Sequence, residues 1–365
     1  MKRAAPYLLH GLLPPESLTL VKFIAFLAAN FVSLPAEKNT LRQFLRTVKT
    51  ASRKFYPQAT LKHAGERALF VLRNLQALPS SRKWVEFLQR GPMAEISRAN
   101  SHLFKKIIRP YVARSWSNER KLKALTDNYT FWQATLAPEV FRALFSANGV
   151  TLCIFTTQDG DTFELHLTYD SKFNKEGEIT LELISSNHCC RISALAFHVG
   201  KERTGKHAIV IGSLQGLAAG NDKEIIKAVS KIMHGLRPKA LLFQVVQEIA
   251  RYCRVDCIRG ISNQEHNSRH ISYALNRTRR PRLTYNEFWQ EMGGTLSADG
   301  FFDLPPRPQM REACQVKSNK RALYRQRYAL LEQLQVGIGR TFAHWAWTNP
   351  PATTRPTPST VQRPA

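Results

Sequence analysis

The chain contains 365 residues, of which 43% are hydrophobic and 10% aromatic, so a large core is expected and a wholly disordered chain is excluded. Its 53 Lys and Arg residues against 27 Asp and Glu residues give a formal net charge of +26. This excess predicts an anionic partner, with nucleic acid, anionic lipid and a phosphorylated cofactor all left open. The alternative is that the charge only keeps the protein soluble.

An apolar stretch near the N-terminus, residues 18–34, follows Lys2 and Arg3 in a pattern that weakly resembles a signal peptide. Two prolines interrupt the approach and Lys22 interrupts the run, which is shorter than the roughly 20 apolar residues of a spanning helix. The stretch therefore predicts a packed or interfacial helix. The expected location is the cytoplasm, with peripheral contact at the inner membrane left open.

Helical periodicity dominates the first part of the chain. Apolar residues recur at the spacing of one helix face, as at Leu41, Phe44, Leu45 and Val48. Prolines and glycines separate these periodic segments. Residues 1–146 are therefore predicted to form a helical N-terminal region.

From Val150 the apolar period changes to two, which is typical of half-buried strands. The sequence predicts an α+β fold in which residues 147–275 form a central mixed, mainly antiparallel sheet with helices. Strands are predicted at residues 151–157, 162–169, 179–185, 191–199, 207–212 and 255–262, and helices at residues 222–234 and 237–251. We expect residues 276–347 to be an aromatic and basic segment packing on this centre, and residues 348–365 to be a disordered tail.

Two junctions that open predicted helices carry residue types that bind phosphate. The first contains Gln215, Gly216 and Gly220, and its small residues allow a ligand to approach the backbone closely. The second contains Arg237 and Lys239, whose charges add to the positive end of the helix that follows. These residues predict a site for a phosphorylated cofactor; the alternative is a pair of tight turns.

Two titratable residues are candidate catalytic groups. His266 lies in a polar run after a predicted strand, where α/β proteins often place ligand-binding groups. We predict that it acts as a general base or phosphate ligand, with a structural histidine as the alternative. Glu178 is the second candidate, because with Glu176 it flanks Gly177 in a hairpin; the alternative is a solvated turn.

No metal site is predicted. Six cysteines are too few for a disulfide framework in a chain of this length, so reduced thiols are expected. Cys253 and Cys257 precede His266 and His270, but the gap between the two pairs is shorter than that of a zinc finger. Packing of the two thiols as small apolar groups is the favoured interpretation.

A basic helix is predicted from about Cys314 to Val336. Its first part contains no acid, and helical spacing places Lys317 beside Tyr324. The predicted anion-binding residues are Lys320, Arg321, Arg325 and Arg327. The alternative is a solvated face, or pairing with acids elsewhere such as Glu176 and Glu178.

An ordered series of motifs resembles the VirK/YbjX family over about residues 40–335. The motifs are KEGE at 175–178, IGSLQG at 211–216, HGLRPK at 234–239, Ser262 and Asn263 with His266, Tyr285 with Phe288 and Trp289, and KRALYRQRY at 320–328. The resemblance implies a protein of Gram-negative bacteria with no assigned reaction. It also implies an association with virulence, envelope stress and resistance to antimicrobial peptides.

A looser resemblance is to the acyl-CoA N-acyltransferase fold, in which antiparallel strands lead to a phosphate-binding turn, a helix and a further strand. Starting at Gln215, this chain has Ala218 where that fold's loop has its first Gly, and Gly220 at the second position. This resemblance implies a coenzyme A thioester as cofactor, with His266 or Glu178 assisting an amine nucleophile.

The sequence leaves open whether the chain is an enzyme. The competing hypothesis is a non-enzymatic basic module that binds anionic lipid or nucleic acid. Its contacts would be the cations of the predicted basic helix and a group of arginines before it, Arg277, Arg279, Arg280 and Arg282.

Overall fold

The computed structural model describes residues 36–202, 204–217, 222–269, 284–310 and 315–346. Predictions for residues 18–34, Gly220, His270, residues 277–282 and the C-terminal tail therefore lie outside the described residues. The chain divides into two compact units, one from Met1–Arg109 with Ser117–Leu122 and the other from Pro110–Trp116 with Lys123–Ala365. Among the helices of the described residues, none is both long and apolar enough to cross a membrane.

The first unit, called the helical unit below, is built from short amphipathic helices. They are α1 (Ala36–Phe55), α2 (Leu61–Gln76), α3 (Leu78–Leu88) and α4 (Gly91–Ala99), followed by a 3-10 turn at Ser101–Lys105. Thr60 caps α2, since its side chain accepts a hydrogen bond from the main-chain N–H of His63. Phe44, Val48 and Ala51 lie on the buried face of α1, as the helical spacing predicts.

The second unit contains a mixed eight-stranded sheet in the order β1-β2-β3-β4-β5-β6-β8-β7. The strands are β1 (Val150–Thr156), β2 (Thr162–Thr168), β3 (Ile179–Ser185), β4 (Cys190–Lys201), β5 (His207–Gln215), β6 (Cys257–Ile261), β7 (Thr295–Leu296) and β8 (Phe301–Leu304). All neighbours are antiparallel except β5 and β6. The predicted α+β fold with a mainly antiparallel sheet is confirmed.

Helices cover this sheet and connect its parallel strands. Between β5 and β6 the chain forms α7 (Asp222–Ile232) and α8 (Pro238–Tyr252), and α8 packs against β3 to β6. The other helices that contribute to this unit are α5 (Asn118–Thr135), α6 (Pro138–Leu144) and α9 (Tyr285–Glu291). Parallel strands are joined by a long crossover, which is most often helical, and here the crossover brings the start of α8 to the end of β5.

The last helix, α10 (Arg321–Trp345), lies against β1 and α8. It begins later and ends later than the sequence predicts, because residues 318–320 form a 3-10 turn and Lys317 has extended backbone angles. Leu330, Leu334 and Ile338 form its buried stripe. The helix continues to Trp345 because its last turns also bury apolar side chains, Phe342 and Trp345. The basic residues of its first turns do not indicate this.

Candidate functional site

The parallel pairing of β5 with β6 stops in the middle of β5. Its register runs from Ala208 opposite Cys257 to Ile211 opposite Gly260, whereas β5 continues to Gln215. Within the described residues, the last part of β5 therefore has β4 on one side and no strand on the other. We call residues 212–215 the β5 terminus.

A β-bulge lies where the pairing with β6 ends. Phe197 of β4 pairs with Ile211 and Ala196 pairs with Ser213, so Gly212 is the extra residue of β5. A side chain at Gly212 would clash with the main-chain carbonyl of Glu176, which lies directly over it. Glycine is needed here for close approach of two backbones, and the bulge redirects the strand at this point.

Tyr285 lies over the β5 terminus. Its hydroxyl is 3.4 Å from the Oγ of buried Ser213, and the main-chain N–H of Leu214 hydrogen-bonds to the same phenol oxygen. Burial raises the pKa of Tyr285, hydrogen bonds with Ser213 and Leu214 oppose this shift, and the charge of Glu176 adds to it. The phenol therefore keeps its proton at neutral pH.

His266 is buried next to Tyr285, with ring centroids 5.4 Å apart. The main-chain N–H of Ser268 donates to its Nδ1 at 3.2 Å, which assigns the proton of the neutral ring to Nε2. Burial lowers its pKa to about 4, although the nearby Gly212 carbonyl raises it in part. The imidazole is therefore neutral at physiological pH, and its Nε2–H faces the bulge.

The structure separates the two acids that flank Gly177. Glu178 is 1% exposed and accepts a hydrogen bond of 2.5 Å from the hydroxyl of Tyr129. Burial raises the pKa of Tyr111, and the charge of Glu178 with a hydrogen bond to it adds to the shift. We call Glu178 and the three tyrosines around it, Tyr111, Tyr129 and Tyr169, the tyrosine cluster.

Glu176, in contrast, lies at the candidate site. Its Oε1 accepts a hydrogen bond of 3.3 Å from the side-chain amide of Asn267, and its charge acts on Tyr285. Asn267 also donates to the Lys175 carbonyl at 2.7 Å, which fixes the loop over the bulge. Of the two acids in the hairpin, Glu176 is the one placed beside the β5 terminus.

The two predicted phosphate-binding junctions meet. A Cβ added at Gly216, just after β5, would lie 3.8 Å from the Cε of Lys239 in the first turn of α8. Burial lowers the pKa of Lys239, and the charge of Arg237 adds to the shift. No hydrogen bond or ion pair of the described residues involves the Lys239 ammonium group. A half-buried cation thus lies between the end of β5 and the positive end of α8.

Gln215 and Arg237, the other described members of this predicted set, have partners within the protein. The side-chain amide of Gln215 donates to the Oγ of Ser213 at 3.2 Å. Arg237 forms an ion pair with Glu291, and both side chains are about half exposed. Gly220 lies outside the described residues. The structure therefore brings Gln215, Gly216, Arg237 and Lys239 to the carboxyl end of β5, where Lys239 has no ion-pair partner among the described residues.

The predicted anion-binding cations, Lys320 just before α10 and three arginines within it, fall into two groups. Lys320, Arg321 and Arg325 are exposed, and no acid among the described residues pairs with them. Arg327 instead donates two hydrogen bonds, of 3.1 and 2.9 Å, to the His234 carbonyl after α7 and lies over the Tyr324 ring. Arg327 therefore satisfies a helix-end carbonyl.

Cys253 and Cys257 lie where apolar packing predicts them. Cys253 follows the last turn of α8, where burial raises the pKa of its thiol to about 12, and Cys257 begins β6. The described residues contain no cluster of three or more side chains suited to holding a metal ion. His270 of the predicted set lies outside them.

Several residues of the candidate site were not singled out as site residues from sequence. Ser213 sits inside an apolar strand, Tyr285 sits in a motif that carried only the family resemblance, and Asn267 directly follows His266 in the polar run. A polar serine flanked by Gly212 in a continuous buried strand was the available signal, because buried polar groups need partners.

The chain is similar to a protein family and to several bacterial proteins. A family model described as "Protein of unknown function (DUF535)" matches residues 59–339. The uncharacterized protein YbjX of Escherichia coli (strain K12) is 28% identical over 76% of this chain and 83% of its own length. An uncharacterized protein of Haemophilus influenzae is 26% identical over 72% of this chain and 84% of its own length. The membrane protein LapB of Mannheimia haemolytica is 23% identical over 60% of this chain and 92% of its own length.

Proposed function

The chain belongs to the DUF535 (VirK/YbjX) family of proteins of unknown function, and from this premise we propose that it binds a coenzyme A thioester at the β5 terminus. In this proposal the chain transfers the acyl group to an amine. The observation that carries it is the β5 terminus itself, which has no strand partner on one side within the described residues. An extended ligand with amide groups can pair with such a strand by main-chain hydrogen bonds.

The pantetheine arm of coenzyme A is such a ligand, since it is extended and contains two amides. Its phosphates would lie at Gly216 and Lys239, where the positive end of α8 meets a cation that has no ion-pair partner among the described residues. The absence of a Cβ at Gly216 leaves room for a phosphate to approach the backbone. Arg237 is close enough to add its charge after its pair with Glu291 opens.

The groups around the β5 terminus suit acyl transfer. The amine nitrogen attacks the thioester carbon, a C–N bond forms and the C–S bond breaks. Glu176 takes the proton of the amine, and Tyr285 gives its phenol proton to the departing sulfur. The neutral ring of His266 packs beside Tyr285 and does not act as the base, because its Nδ1 already accepts a hydrogen bond.

Calorimetric titration of acetyl-CoA into the full chain tests the proposal. We expect saturable binding of one ligand per chain, weakened about tenfold or more by Gly216→Val and by Lys239→Gln. Lys227→Gln, which removes an exposed cation of α7, is the matched control and should bind as the wild type does. If acetyl-CoA does not bind, or if all three variants bind it equally weakly, the proposed coenzyme A site is wrong.

A second candidate function is supported by the exposed cations at the start of α10 and in the turn before it. Lys320, Arg321 and Arg325 present charge without an acidic partner in the described residues, and one relative is named a membrane protein. We infer that this surface binds anionic lipid or nucleic acid, in the setting of envelope stress, virulence or resistance to antimicrobial peptides that the family resemblance implies. Replacing all three residues with Gln should weaken binding to anionic vesicles or DNA and flatten its salt dependence. An unchanged salt slope in this triple variant would exclude α10 as the contact surface.

A further inference from the structure

A groove of about 500 Å³ opens on the helical unit, and the acyl-transfer proposal does not use it. Its floor contains the apolar side chains of Ala51, Leu88 and Phe104. Its rim carries three basic side chains, and among the described residues that line it none is acidic. This volume is within the range of small-molecule sites, roughly 300–1,000 Å³.

The three basic residues of the rim are Arg46, Lys54 and Arg98. They are exposed, and no ion pair or hydrogen bond among the described residues involves their side chains. A neighbouring depression of the same unit differs, because there Glu86 lies 3.1 Å from Arg82 and 3.8 Å from Arg90. The groove therefore keeps its cations available, whereas the neighbouring depression neutralises its own.

Helical spacing arranges the rim as a line of donors. Arg46, Thr50 and Lys54 are four residues apart on one face of α1, so the two cations are separated by about 12 Å along the helix axis. Arg98, in the last turn of α4, contributes the third cation of the rim. The hydroxyls of Thr50 and Ser101 also line the groove, and the hydrogen bonds among the described residues leave both unused.

We propose that this groove binds the phosphate group of a small phosphorylated molecule or of a lipid headgroup. Several cations with intervening hydroxyls match a phosphate, which has several charged oxygens to satisfy. The apolar floor fits the carbon skeleton that carries the phosphate. The limited volume, about 500 Å³, favours a headgroup or small molecule over a nucleic acid, which needs an extended basic surface.

The test uses the full chain and two phosphate sources. Calorimetric titration measures binding of inorganic pyrophosphate, and co-sedimentation measures binding to phosphatidylcholine vesicles with and without phosphatidylglycerol. The groove variant is Arg46→Gln with Arg98→Gln. The matched control is Lys49→Gln with Arg53→Gln, since both residues are exposed cations of α1 that do not line the groove. Both double variants keep the cations of α10.

We expect the groove variant to bind the phosphate source about tenfold more weakly than the control variant does. Weakened pyrophosphate binding with unchanged vesicle binding indicates a soluble phosphorylated ligand, and a loss confined to vesicles with phosphatidylglycerol indicates a lipid headgroup. Thr50→Glu, which adds an acid between two retained cations, should weaken binding as well and guards against a folding defect of the double variant. Equal binding by the groove and control variants, or no binding by the wild type, would overturn the proposal.

Discussion

Two acids separated by one glycine lie in opposite environments. In the tyrosine cluster, Glu178 is 1% exposed and accepts the hydrogen bond of Tyr129. At the β5 terminus, Glu176 is half-buried and has Asn267 as a partner. The acid of the cluster accepts a hydrogen bond from within the protein. Next to Glu176, in contrast, the last part of β5 has a strand on one side only and Lys239 has no ion-pair partner, both within the described residues.

This difference separates a region that stabilises the fold from one suited to binding. Buried polar groups that satisfy one another contribute to stability and leave nothing for a ligand. Groups left without partners cost stability and persist where they serve recognition. The comparison predicts that substitutions in the tyrosine cluster change unfolding, while those at the β5 terminus change binding.

The largest effect on stability is expected for Glu178→Ala. This change leaves the Tyr129 hydroxyl without its acceptor and opens a cavity, so the free energy of unfolding should fall by about 4 kcal/mol. The matched variant Glu176→Ala should cost about 1 kcal/mol or less, since that side chain is half-buried. Urea denaturation of both variants measures the difference, and equal losses would break the comparison.

A smaller loss is expected for Gly212→Ala. Its methyl group would meet the Glu176 main-chain carbonyl, which cannot rotate away as a side chain can, so about 3 kcal/mol should be lost. At Gly216 a Cβ would meet only Ile226 and Lys239 side-chain atoms at 3.7 and 3.8 Å, so Gly216→Ala should be nearly neutral. Thermal unfolding of the two variants measures this difference in stability. Equal melting temperatures would contradict the prediction.

The smallest of the three effects is a pH dependence from His266. Its pKa is about 4 in the folded chain and 6.5 when the side chain is fully solvated, so the unfolded chain binds more protons between these values. The stability it contributes is therefore present above its unfolded pKa and is lost as pH falls toward the folded value. Between about pH 7 and about pH 5 the wild type should lose about 2 kcal/mol through this residue.

His266→Gln should lack this component of the pH dependence, because glutamine does not titrate. Denaturation of wild type and variant at both pH values isolates the contribution of the imidazole. If the two proteins lose the same stability on acidification, the ring is not held in its neutral form by burial.

Local patterns in the sequence predict most of the strands but not the point where β5 and β6 stop pairing. The alternating residues of β2 and β3 predict strands because one face is buried and the other less so. The end of pairing at Ile211 and Gly260 depends on a bulge and on register between distant strands, neither of which periodicity reports. The residues of the two candidate phosphate-binding junctions could be selected from sequence, whereas the approach of Gly216 to Lys239 depends on the crossover between β5 and β6.

The site residues were difficult to predict for a similar reason, because residues that meet at the site are far apart in the sequence. Ser213 and Tyr285 are 72 residues apart and meet only through α9. The choice between Glu176 and Glu178 depends on which side chain points to the cluster, and a hairpin motif does not decide this. Arg327 resembles the exposed cations of α10 in sequence, yet its hydrogen bonds to His234 give it a structural role.

Amide hydrogen exchange at the β5 terminus tests the central claim most directly. The claim is that residues 212–215 have no strand partner among the described residues on the side away from β4, and that this side pairs with the amides of coenzyme A. With acetyl-CoA present, exchange of the peptide covering these residues should slow, while exchange in the paired strands β2 and β3 should stay unchanged. Unchanged exchange at residues 212–215 under saturating acetyl-CoA would contradict the account.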